Sequence, residues 1–113
     1  MSETKRLPDG VTDEQLQQLV RKHGRVYPVR VEKDGATHVG LFRKPSLADM
    51  SAAGSVGANN PMAAGELIYN SCKLVVDPAL DQDDEVKVAA MNGVSRLFRI
   101  LEAEVGEPFG AGA

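Results

Sequence analysis

The sequence has no tryptophan, a single cysteine, and only two tyrosines and three phenylalanines in 113 residues. Cys72 alone excludes an intrachain disulfide and any zinc site built from several thiolates, so a reducing compartment, the cytoplasm, is expected. Aromatic content of 4% leaves few of the stacking platforms on which single-stranded nucleic acids are held. A basic excess is also missing. The formal net charge of -3 and pI near 5.3 give no general attraction to phosphate backbones or anionic lipid. No apolar run approaches the ~20 residues needed to cross a bilayer. Met1 to Arg6 carries no apolar export stretch, and Ser2 stands where myristoylation requires glycine. The sequence therefore predicts a protein that is neither membrane-spanning nor exported.

Reactive constellations are equally scarce. The run Asp81-Gln82-Asp83-Asp84-Glu85 begins like a calcium loop, but Val86 falls where the turn glycine belongs and Asn92 where the bidentate carboxylate belongs. A helix start with negative charge at its dipole end is the better reading. His23, His38 and Cys72 have neither metal-ligand nor nucleophile-base spacing, and a lone cysteine on an apolar helix face is expected in the core. Gly54 and Gly57 belong to no phosphate-loop pattern. The reading is of no catalytic, cofactor-binding or metal-ligating residues, no cofactor, and no enzyme.

What the chain does contain is ordinary globular material, 42% hydrophobic and 26% charged, at the length of one domain. Residues 1–11, with Pro8 and Gly10, read as a flexible arm ending in a turn; 12–106 read as a single α+β domain and 107–113 as a frayed tail. Thr12 and Gln15 have capping-box spacing, which predicts a first helix from Asp13 to a stop at Gly24. Two β-rich runs flank Lys33-Asp34-Gly35 and predict a hairpin. Three helices follow: Ser46 to about Ala53, one opened by Asn60-Pro61 with Ala64, Leu67, Ile68 and Cys72 on one face, and a long one from about Asp83 to Val105. The fold expected is an N-terminal helix, one β-hairpin, then three helices packing against it.

The last helix has the widest apolar arc. At ~100° per residue, Val86, Ala90, Val94, Leu97 and Leu101 share a face, while Met91 and Phe98 sit on one shoulder and Ile100 on the other. Either the helix is sandwiched and the whole arc is buried, or a shoulder stays open for a partner. The second case makes Met91 and Phe98, with the adaptable side chains of Met50 and Met62, the candidate partner-binding residues.

The order of motifs resembles that of tail assembly chaperones and related small proteins of tailed-bacteriophage morphogenesis modules. The resemblance rests on Phe42-Arg43-Lys44-Pro45 closing the hairpin and the small-residue stretch from Ser46 to Asn60. It continues in Glu66-Leu67-Ile68 leading to Asn70-Ser71-Cys72, and in the acidic linker and final helix from Asp81 to Val105. It implies a protein-binding factor of the host cytoplasm that engages a tape measure protein, without a cofactor, and leaves homo-oligomerisation open. The alternative is a small nucleic-acid-binding accessory protein that uses the basic hairpin residues Arg30, Lys33, Arg43 and Lys44.

Overall fold

A computed structural model describes residues 5–99 and 101–110. Helix α1 spans Asp13–His23 and begins as its spacing requires. The Thr12 hydroxyl accepts from the Gln15 N–H at 3.2 Å, and the Gln15 side chain accepts from the Thr12 N–H at 2.9 Å. Strands β1 (Tyr27–Lys33) and β2 (Ala36–Phe42) form the antiparallel hairpin, with Lys33 opposite Ala36. The two-residue loop needs left-handed backbone at both positions, and Asp34 (φ 51°) and Gly35 (φ 81°) supply it. Helices α2 (Leu47–Gly57) and α3 (Pro61–Cys72) follow, capped by Ser46 and Asn60.

The chain then departs from the hairpin-only expectation. Strand β3 (Lys73–Val76) leaves α3 without a turn and pairs antiparallel with β2, giving a three-stranded sheet of order β1-β2-β3. Four residues directly after a helix carry too short a pattern to be read as a strand. They become one because β2 offers an edge: the Arg43 N–H donates to the Cys72 carbonyl and the Asp77 N–H to the Val39 carbonyl, closing the ladder at both ends. A short helix α4 (Pro78–Gln82) leads into α5 (Asp84–Ser95), whose N-cap Asp83 accepts from the Glu85 and Val86 N–H groups. The fold class is α+β, with five helices and one antiparallel sheet among the described residues.

Side-chain alternation divides β2 between two layers. Phe42 joins the helix-side core with Ile68, Tyr69, Cys72, Leu80, Val86, Ala90, Met91 and Val94, and its ring meets Tyr69 at 5.3 Å with a 56° tilt. Val39 and Leu41, also buried, belong to the opposite face, where Leu41 lies with Leu7 and Leu16. Gly40 makes the first layer possible, because a Cβ there would come within 2.6 Å of Leu80 and of Phe42. Helix α5 is held between β1, where Val29 approaches Gly93, and α3, where Met91 reaches Gly65.

The expectation of a helix to Val105 is corrected: α5 ends at Ser95, and the Leu97 N–H turns back to the Val94 carbonyl. Val94 is the last side chain of the run that is fully covered. Helix stability in a protein comes largely from packing an apolar face, and past Val94 that cover is only partial: Leu97 and Phe98 are half-buried and Leu101 is exposed. Residues 101–110 carry no helix or strand and are exposed, Leu101 among them; Ile100 lies outside the described residues.

Candidate functional site

The two motifs that carry the phage resemblance meet at the junction of β2, α2 and α3. Phe42 packs on Tyr69, and Arg43 bonds through its backbone to Cys72 at the end of α3. The Arg43 guanidinium reaches forward to Asp49 of α2, Nη1 to Oδ2, at 2.7 Å. Asp49 also accepts from the Ser46 N–H and hydroxyl at 2.8 and 3.0 Å, closing a second capping box. The Arg43 charge, with the Ser46 N–H, holds the Asp49 carboxyl down at about 2, so the pair stays ionised at neutral pH. Pro45 is buried in this turn and Cys72 is fully covered. Burial pushes the Cys72 thiol up, against the opposing pull of Arg43.

A polar cluster lies where α3 meets α4 and α5. The Tyr69 hydroxyl donates to Asp81 Oδ1 at 2.9 Å, and Lys73 Nζ bonds both carboxylate oxygens of Asp81 at 3.2 Å. Lys87 Nζ, bonded to Glu66 at 3.0 Å, and Lys73 Nζ stand 5.8 and 5.7 Å from the Tyr69 ring centroid. Desolvation and the Asp81 hydrogen bond raise the Tyr69 phenol well above its ordinary value. The phenol is therefore a neutral donor, not a base. The sequence shows Tyr69 and Lys73 one helical turn apart but gives no sign that Asp81 closes the set.

A third group ties the N-terminal segment to the sheet. Asp77, 2% exposed, accepts from Lys5 Nζ at 2.6 Å, the Asp9 N–H at 2.7 Å and the Val39 N–H at 2.8 Å. Burial raises this carboxyl, and the Lys5, Asp9 and Val39 donors together outweigh it, leaving a net downward shift. Residues 5–10 of the segment expected as an arm are thus attached to the fold, and the expected turn is present, with the Val11 N–H donating to the Pro8 carbonyl.

No family model matches the chain, and no curated protein matches it. Among solved structures it is similar to an uncharacterised protein, rbstp2171 from Bacillus stearothermophilus. That chain is 27% identical, with a TM-score of 0.56, over 84% of this chain and 99% of the other. The likeness extends over the whole of that protein and concerns its fold.

The four candidate partner-binding residues are not one surface. Met91 is 5% exposed and packs into the core, which is the sandwiched alternative; Met50 and Phe98 are half-buried, and Met62 is 58% exposed on α3. Met91 is therefore withdrawn as a free contact residue. Of the basic hairpin residues, Arg43 is paired with Asp49, Lys33 with Asp83 and Glu85, and Arg30 donates from Nε to the Lys5 carbonyl. His23, His38 and Cys72 stay on separate elements, and among the described residues no three His, Cys, Asp or Glu side chains are grouped to hold a metal ion.

Proposed function

We propose that this protein is a non-catalytic, protein-binding assembly factor of the tailed-phage tail-chaperone type, acting on a tape measure protein in the cytoplasm. The observation that carries the reading is the convergence of its motifs. Phe42-Arg43-Lys44-Pro45 and the Glu66 to Cys72 helix, far apart in sequence, build one junction through the Phe42–Tyr69 and Arg43–Cys72 contacts. The displaced titratable groups support the non-catalytic part. Asp49, Asp77, Asp83, Lys33 and Tyr69 each bond a partner that joins two elements or caps a helix, and the Cys72 thiol is buried. The exposed apolar side chains consistent with this reading are Leu47 at the start of α2, 75% exposed, and Met62 at the start of α3, 58% exposed.

Co-expression with a phage tape measure protein tests the reading. The two should co-purify in either tagging direction, and Met62→Glu should weaken retention while leaving the fold intact. Absence of co-purification from both directions would reject the assignment.

A further inference from the structure

Beyond that reading, and independent of it, we infer that residues 101–105 of one copy add as a fourth strand along β3 of a second copy. The donor segment is Leu101-Glu102-Ala103-Glu104-Val105, a strict alternation that places Leu101, Ala103 and Val105 on one side of an extended strand and both glutamates on the other. It finds no cover in its own molecule: Leu101 is 74% and Val105 92% exposed. Gly106 and Pro108 then end the strand-like run.

The acceptor is an open sheet edge. In the order β1-β2-β3 no described strand pairs with the outer side of β3, an edge that can template another chain beyond Lys73, whose N–H bonds the Tyr69 carbonyl. Beside that edge lies a cleft of about 520 Å³ between β3 and α1, with Val75, Leu19 and Val11 among its lining. Helix α1 buries none of its own residues, so the apolar side it turns toward this cleft is incompletely covered. Leu101, Ala103 and Val105 supply the apolar side chains that the cleft lacks.

Glu102 and Glu104 face away from the cleft on the added strand, so charge acts at longer range, through the net sign of the two segments. Residues 101–110 carry Glu102, Glu104 and Glu107 and no base, whereas the last turn of α1 carries Arg21, Lys22 and His23, with Lys22 at the cleft. Asp9, the carboxylate at its rim, shares the Lys5 ammonium with Asp77, at 2.7 and 2.6 Å. The same polarity runs through the chain: nine of the 13 Lys and Arg lie at or before Lys44, and ten of the 16 Asp and Glu at or after Asp49. Donor and acceptor of opposite sign on one chain fit a second copy. The radius of gyration is 17.9 Å, where a compact chain of this length has about 13 Å, and the long axis is 67 Å against 35 and 27 Å. The exposed segment therefore extends away from its own body.

Sedimentation equilibrium of the full chain over a concentration series tests this. The wild-type mass should rise above 12.1 kDa with concentration, and backbone amides of 73–76 and 101–105 should gain exchange protection together. Leu101→Glu with Val105→Glu should raise the dissociation constant by roughly tenfold or more, Lys22→Glu by about threefold, and Lys44→Glu not at all. Unchanged circular dichroism and melting temperature of the double variant would confirm that its fold is intact. A monomer at every concentration, association unchanged by the double variant, or protection of 101–105 at monomer mass, meaning fold-back on its own chain, would each overturn the inference.

Discussion

Asp77 shows how much one side chain can fix. Its carboxylate is the common acceptor for an ammonium from the N-terminal segment, a backbone N–H of that segment and a backbone N–H of β2. Asp77→Ala leaves the Val39 N–H buried without a partner and Lys5 without its counter-charge, so the expected loss is about 2–4 kcal/mol by urea unfolding. Asp77→Asn, which keeps an acceptor, should lose less. Cys72 carries the second expectation at this scale. As a covered thiol with a raised pKa, it should resist a disulfide reagent in the native protein and react fully in denaturant. Cys72 was legible in sequence, since it shares a helix face with Ile68 and Leu67. Asp77 was not, because a carboxylate before a proline reads as a turn until the tertiary fold brings Lys5 and Val39 to it.

Among the elements, close approach distinguishes two glycines that look alike in sequence. At Gly40 a methyl would meet Leu80 and Phe42 at 2.6 Å and Val76 at 2.9 Å, inside a packed layer between β2 and the helices. At Gly65 it would meet the terminal methyl of Met91 at 3.0 Å, an end that can rotate away. Gly40→Ala should therefore cost about 1–3 kcal/mol. Gly65→Ala should fall within ~1 kcal/mol of wild type, because the gain in helix propensity opposes the repacking. A thermal melt of both variants decides it. Helix α1 provides the other contrast. It has a complete capping box and no buried residue, so its amides should exchange well before those of β2 and α5 in a native-state hydrogen-exchange series. Comparable protection in α1 and α5 would contradict this account.

For the molecule as a whole, acid is the condition to which the fold is most exposed. Asp49, Asp77 and Asp83 all have carboxyls held below their ordinary value, by Arg43, by Lys5 with two backbone donors, and by Lys33 with its helix N-termini donors respectively. A depressed carboxylate contributes stability in full above its unfolded pKa, near 4, and that contribution disappears as pH falls through the folded value. Chemical-denaturation midpoints should accordingly be level from pH 7 to about 5 and drop between about 4 and 2. Asp49→Ala should make the drop shallower, since its folded value of about 2 sets the lower end.

The sequence by itself determined the parts of this protein that depend on neighbours along the chain. The caps at Thr12, Ser46 and Asn60, the Asp34-Gly35 turn and the amphipathic faces of α1 and α3 are local, because each is closed by atoms a few residues away. Only the tertiary structure decided where strand and helix stop. β3 exists because β2 presents an unpaired edge to residues that follow a helix, and α5 ends at Ser95, where full cover of its apolar face gives way to the half-buried Leu97 and Phe98. The same holds for the surfaces. Whether Met91 faced a partner or the core depended on Gly65 of a distant helix, and no spacing within α5 contains that information.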